Sequence, residues 1–397
     1  MKQQEIEAVI KNYGTPVYVF DLDALTQHVS KISTFLKQEQ INLCYAMKAN
    51  PFLTGELEPY IERFEVCSPG EFRICEREHL PIEHLVISGV NKEKEDIFRI
   101  VENYQGKGIF TIESEQQRDL LLECARESKL KLQALVRISS GNQFGVSYEL
   151  AKKMFASQKN HPELSLRGIQ YYSGTQKKKL SLMEEELQKL DIFCMEVKEE
   201  LKIEIEELEY GPGFFVPYFQ SDSEEDLETL LKTFLEFVHN MKFQGKITLE
   251  MGRFLVANCG YFVTSIIDQK ENSGQIFGIV DGGIHHLNYF GQTMAMKHPY
   301  IQHISDRKEE NQIKKWNICG SLCTTADVIV KQFPLVGAKI GDVLVFERAG
   351  AYSVTEGINL FLSRDLPKVL FYSKESGFRL IRDTQVTDVF NSKTNIL

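Results

Sequence analysis

The chain has 397 residues, more than one hydrophobic core usually serves, so two domains are expected. With 43% hydrophobic and 26% charged residues it is not a disordered chain and has material for a sizeable core. A formal net charge of -10, with no basic stripe interleaved with aromatics, argues against a nucleic-acid partner.

The opening stretch MKQQEIEAVIKNYG lacks the apolar segment of a signal peptide, and no run of about 18 apolar residues follows it anywhere. A soluble cytoplasmic protein without a membrane partner is the expectation. Eight cysteines are scattered without any CxxC, which points to neither a disulfide framework nor a zinc cage.

In chain order, TPVYVFD (15–21) is a first strand-like run. Eight more follow, separated by polar stretches of helical period. They are INLCYAM from Ile41, FEV to Val66, LVIS to Ser88, GIFTI to Ile112, QALVRI to Ile138, LRGIQYY to Tyr172, IEELEY to Tyr210 and KITLE to Glu250. Between them, 114–128 and 181–201 carry apolar residues at three and four, with Ser-x-x-Gln and Ser-x-x-Glu openings that read as capping boxes. Eight strands with intervening helices predict a (β/α)₈ barrel over 25–260; an open doubly wound sheet is the competing pattern. After Asn258 the runs YFVTSIID, QIFGIVDGG, DVLVFERAG and KVLFYS are short and strand-like, with Gly or Asp turns. They predict a β-rich C-terminal domain over 261–397, to which residues 1–24 are assigned. The fold class is therefore α/β, a TIM-type barrel plus a β-rich domain.

Barrel enzymes carry their chemistry at the C-terminal ends of the strands. In CYAMKAN a period of two puts Cys44, Ala46 and Lys48 on one face, so the Lys48 ammonium emerges at the barrel mouth. A partly desolvated lysine there is a good imine former with a carbonyl such as that of pyridoxal phosphate; a lysine snorkelling to solvent is the bland alternative. EYGPGF ends the seventh strand, and Gly211 and Gly213 let backbone N–H groups approach an anion. EMGRF ends the eighth, with Glu250 and Arg253 around the tight Gly252. Barrels often bind phosphate with these two loops. A carboxylate such as Glu250 beside a pyridine nitrogen keeps that nitrogen protonated, while a salt bridge to Arg253 is its structural alternative. His285 and His286 are adjacent, and in a strand they would point to opposite faces, so no metal site is read there.

Taken together, YAMKAN, FEVCSPGE, QFG, GIQYYSGTQ, EYGPGF, EMGR, VDGG, GSLCTTAD and GAY, in this order, resemble the fold-type III pyridoxal-phosphate enzymes, and within them the diaminopimelate/ornithine decarboxylase family. The resemblance implies an α-decarboxylase with pyridoxal 5'-phosphate as cofactor. It casts Lys48 as the covalent anchor and Glu250 as the pyridine-nitrogen partner, with Cys323 as a third catalytic residue donated across a head-to-tail homodimer. Gly211, Gly213, Gly252, Arg253, Thr175 and Tyr352 become phosphate holders, with Tyr172 stacking on the ring and Arg137 a further cofactor neighbour. Thr324, Asp281 and Asp327 are the expected substrate neighbours.

Three departures matter. Tyr172 stands where the family usually has histidine, and Pro212 removes one N–H from the glycine loop. Thr324 and Thr325 follow Cys323, where relatives that read a distal ammonium place an acid; a neutral hydroxyl cannot make that charge-assisted bond. YSGTQ, FVPYF and LCTTAD are similar to the branch typified by the butirosin-pathway decarboxylase, which acts on a glutamyl group tethered to an acyl carrier protein. The alternatives are a free diamino acid as substrate, an amino-acid racemase, and a non-catalytic pyridoxal-phosphate-binding protein. Lys177, Lys178 and Lys179 read as a solvated face, or as a docking patch for an acidic carrier.

Overall fold

The computed structural model describes residues 1–305 and 312–393, which form two compact units. One unit comprises Val29–Phe215 and Glu225–Phe254; the other comprises Met1–His28, Val216–Glu224 and Leu255–Leu397.

The sequence run VYVFD forms β1 (Val17–Asp21), a buried strand of the second unit. The first unit is a closed barrel of eight strands: β2 (Asn42–Ala46), β3 (Arg63–Val66), β4 (Leu85–Ile87), β5 (Ile109–Ile112), β6 (Leu132–Ile138), β7 (Leu164–Tyr172), β8 (Glu207–Gly211) and β9 (Lys246–Met251). Every pairing around the ring is parallel, and β9 closes onto β2 through Cys44 opposite Glu250. The barrel was legible in the sequence and the open sheet is ruled out.

Helices cover the strands, and their starts follow local chemistry. Ser114 Oγ accepts from the Gln117 N–H at 3.1 Å and opens the helix Glu115–Ser128, as the capping pattern predicts. The helix Leu180–Leu201 starts one residue before Ser181 with Lys179 at its N-cap and no side-chain cap, so the second capping box does not form. The amphipathic periodicity alone was enough to mark that helix.

The barrel interior departs from the branched aliphatic filling usual in this fold. Arg63 on β3 reaches across the ring and pairs with both oxygens of Glu207 on β8, and Thr248 Oγ1 donates to the same carboxylate at 3.0 Å. All three side chains are buried.

Among the described residues, the second unit is built on a nine-stranded sheet. Its strands are β1 with β10 (Gly260–Asn272), β11 (Gln275–Val280), β12 (Ile301–Ile304), β13 (Ile313–Cys319), β14 (Val328–Val336), β15 (Val343–Glu347), β16 (Lys368–Ser373) and β17 (Gly377–Arg382). The main path runs β14-β13-β11-β10-β1-β16-β17, with β15 paired to β10 and β12. The early strand β1 sits between β10 and β16, antiparallel to the first and parallel to the second. Its core is aliphatic: Ile6, Val9, Val17, Val19, Val263, Val343, Val345 and Leu370 pack together. Each such side chain contributes about 1.5–3 kcal/mol of burial energy relative to exposure.

Candidate active site

β2 stops at Ala46, and Lys48 rides on the one-turn 3₁₀ helix Met47–Ala49 that follows. The expected strand face therefore ends two residues early. Asn50, whose side chain accepts from the Phe52 N–H at 3.2 Å, and Pro51 start a second short turn and stop β2 from continuing. The turn still places the ammonium at the C-terminal end of the barrel.

Two carboxylates flank it. Lys48 Nζ donates to Glu65 Oε2 at 2.6 Å and lies 3.9 Å from Glu250 Oε1, while Cys67 Sγ is 3.8 Å away. The lysine side chain is 37% exposed, against 1% and 6% for the carboxylates, so this is the open end of a buried charge cluster. Burial pushes Glu250 well above the usual carboxylate range, and the Glu65 charge beside it adds to that shift. Burial opposes ionisation of Glu65 too, but there the Lys48 ammonium and its hydrogen bond win and hold the group low. Divergent proton affinities in two neighbouring carboxyls are the pattern of a site that handles protons.

A second group of cations stands on the same rim. Arg137, at the end of β6, approaches Glu113 Oε1 at 3.4 Å and lies over the Phe144 ring. Lys92 donates to Gly89 O at 2.8 Å and reaches Gln117 Oε1 at 3.2 Å. Burial lowers its proton affinity to a pKa of about 8.

On the side of the ring where β9 closes onto β2, the ends of β7, β8 and β9 form a cradle. A Cβ on Gly211 would strike the Tyr172 ring, and one on Gly213, whose φ is +65°, would strike the Gly174 carbonyl. Neither position has room for a side chain, so both present bare backbone. The Lys177 N–H donates to Gly213 O at 2.9 Å and ties the two loops together. Arg253 Nε donates to Thr175 Oγ1 at 3.4 Å, and Gly252 lies against Ala46 and Ala49. A guanidinium, a hydroxyl and side-chain-free backbone fit a phosphate group. Glu250, buried yet slightly open, fits a protonated ring nitrogen. The donor set thus suits pyridoxal phosphate, and one unit brings together Lys48, Arg137, Tyr172, Thr175, Gly211, Gly213, Glu250, Gly252 and Arg253.

Cys323, Thr324, Asp281, Asp327 and Tyr352 belong to the sheet unit. Cys323 is exposed on the loop after β13, and Thr324 Oγ1 accepts from the Ala326 N–H at 3.3 Å. Asp327 accepts from the Ile284 and Leu322 N–H groups at 2.8 and 2.7 Å. Asp281 accepts from Thr264 Oγ1, Thr15 Oγ1 and the Ser265 N–H. Both carboxylates are thereby engaged in shaping the loops of their own unit. Tyr352 has φ +66°, and its carbonyl accepts from the Thr355 and Glu356 N–H groups. His285 and His286 do not lie in a strand, contrary to the expectation of opposite faces: they occupy a turn, with ring centroids 3.6 Å apart. Burial lowers His285 to a pKa of about 4 and His286 to about 2.

Glu65, Lys92, Glu113 and the Arg63–Glu207 pair were not among the expected site residues. For Arg63, Glu65 and Glu207 the signal lay in Arg-x-Glu of RFEV and Glu-x-Glu of ELEYG, charges at alternate positions of strands otherwise buried on both faces. The lysine triplet is also not a uniform patch, because Lys177 pairs with Glu186 at 2.6 Å and only Lys178 and Lys179 are exposed.

Residues 17–350 match the family described as pyridoxal-dependent decarboxylase, C-terminal sheet domain, and the chain belongs to that family. It is similar to the L-glutamyl-[BtrI acyl-carrier protein] decarboxylase of Niallia circulans, with 24% identity over all of this chain and 99% of that protein. It is also similar to the diaminopimelate decarboxylase of Campylobacter jejuni, with 28% identity over 94% of each chain. Among solved structures, the diaminopimelate decarboxylase of Methanocaldococcus jannaschii in complex with L-lysine superposes with a TM-score of 0.86. The two are 25% identical, over 99% of this chain and 94% of that one. The chain is a pyridoxal-phosphate-dependent decarboxylase, a carboxy-lyase, and its barrel-plus-sheet architecture is that of its relatives. Among the described residues, no helix is long and apolar enough to cross a membrane.

Proposed function

We propose that the chain removes the α-carboxylate of an amino-acyl group whose far end is uncharged, with a glutamyl group tethered to an acyl carrier protein as the favoured substrate. The observation that carries the reading is the Lys48 ammonium held between Glu65 and Glu250 at the barrel mouth. The substrate class is supported by Thr324 and Thr325, which offer no carboxylate after Cys323, and by the similarity to a carrier-protein-linked decarboxylase.

Pyridoxal phosphate, when bound, supplies an electron sink for charge released at the substrate's α-carbon. In this reading Lys48 is its covalent anchor, and Glu65, which holds the ammonium at 2.6 Å, orients that side chain in the free enzyme. Glu250 holds a proton on the ring nitrogen. Gly211, Gly213, Thr175 and Arg253 bind the phosphate, and Tyr172 covers one face of the ring; the casting of Tyr352 as a further phosphate holder rests on the family pattern alone. Cys323 returns a proton to the substrate carbon as part of a homodimer with shared sites, a role that rests on the family pattern. Localisation in the cytoplasm belongs to the same proposal.

A free diamino acid is the second reading, favoured by the similarity to diaminopimelate decarboxylases. Release of CO₂ from free glutamate, ornithine, lysine, diaminopimelate and a carrier-bound glutamyl thioester, with wild type and Lys48→Ala, separates the two. The proposal expects turnover of the thioester alone, abolished in Lys48→Ala; turnover of free diaminopimelate or lysine at a comparable rate contradicts it.

A further inference from the structure

Below the Lys48 site, the barrel interior holds more buried carboxyls than cations. Glu207 and Glu209 stand two apart on β8, both fully buried, so they share its inner face. The guanidinium that meets them is Arg63, and it is already bidentate on Glu207, which takes a further hydrogen bond from Thr248. Glu209 is left with one amide donor, Gln170 Nε2 at 2.7 Å on Oε1. Arg63 Nη1 stands 3.7 Å from Oε2, beyond hydrogen-bond reach, and among the described residues Oε2 has no hydrogen-bond partner. A carboxylate in a dry interior, with the available cation spent on its neighbour, is costly enough to take up a proton instead.

The charges around Glu209 point the same way. Burial raises its proton affinity most, and Glu207 on its own strand and Glu65 on β3 raise it further; Arg63 and the Gln170 amide pull it down, for a net pKa of about 7. The other inward-facing groups are Cys44 on β2, which is charged only as a disfavoured thiolate, and Thr248 and Glu250 on β9. Thr248 is the register partner of Glu209, and Glu250 follows two residues later, one layer nearer the mouth.

We propose that Glu209 is a positioning residue, held as the neutral carboxylic acid one layer below Glu250, so that no second anion stands beneath the Lys48 site until Glu209 ionises. An anion at Glu209 raises the proton affinity of Glu250. A neutral Glu209 adds no charge beneath Glu250, the group that faces a ring nitrogen in the proposed function. The inference rests on the assignment of Glu250 in the proposed function, and its test does not require bound cofactor.

The experiment is an infrared pH titration of the cofactor-free protein, as wild type, Glu209→Gln and Glu250→Gln, with melting curves that include Glu207→Gln. Wild type is expected to show a buried protonated-carboxyl band near pH 6, part of which disappears in Glu209→Gln. In that variant the remaining Glu250 step moves to lower pH by about one unit. Glu209→Gln, which mimics a neutral acid, keeps its melting temperature near wild type, whereas Glu207→Gln falls sharply. A carboxyl band unaltered by Glu209→Gln, a Glu250 step that stays in place, or melting as low as that of Glu207→Gln overturns the proposal. Failure of Lys48 to bind pyridoxal phosphate would instead sink the site reading and leave these carboxyl bands unchanged.

Discussion

The two units solve the problem of a buried centre in opposite ways. The sheet unit fills its core with Val17, Val19, Val263, Val345 and Leu370, whose burial is favourable without any partner. The barrel puts Arg63, Glu65, Glu207, Glu209 and Glu250 where other barrels place aliphatics, and each of them needs a partner or a proton. The barrel has given up stabilising volume for a stack of interacting charges that ends at Lys48. The sheet unit supplies ordinary stability.

The sharpest way to break this contrast is at the top of the stack. Lys48→Ala should abolish CO₂ release, and because it strips the buried Glu65 of its ammonium partner it should also lower the melting temperature; calorimetry with a CO₂ assay checks both. Lower down, Arg63→Met leaves Glu207 buried and unpaired and should cost about 3–5 kcal/mol, read by denaturant melts. In the sheet unit, Leu370→Ala removes packing alone and should cost about 2–5 kcal/mol, yet leave kcat per folded molecule unchanged. If Leu370→Ala instead lowered kcat as Lys48→Ala does, the division of labour would be wrong.

A milder effect comes from pH. Glu250 holds its proton more tightly folded than unfolded, so its contribution to stability is complete below the ordinary value of 4.5 and is lost as pH rises through the raised folded value. Melts of the cofactor-free protein across that window should decline with pH in wild type and decline less in Glu250→Gln. The smallest effect is expected at the surface: Lys178→Glu and Lys179→Glu together should change stability within about 0.5 kcal/mol.

The strands and the division into barrel and sheet were legible because apolar runs bounded by turn residues carry their own signature, as in TPVYVFD and KITLE. Lys48, Glu250 and the glycines of EYGPGF were legible because strand ends in a barrel point to the mouth. Two things were hidden. The 3₁₀ turn at Met47–Ala49 continues the apolar texture of β2, so nothing local marks where the strand stops. The interior charges were missed because their partners are remote in sequence: Arg63 meets Glu207, 144 residues away, across a ring that only the closed fold creates. Asp281 and Asp327 show the reverse case, acidic residues in family motifs whose carboxylates are occupied by backbone and hydroxyl donors of their own loops.

The most direct measurement is reductive trapping: incubate the protein with pyridoxal phosphate, reduce with borohydride and map the labelled peptide by mass spectrometry. The account predicts a single pyridoxyl group on Lys48. A label on Lys92, or no label at all, would contradict it.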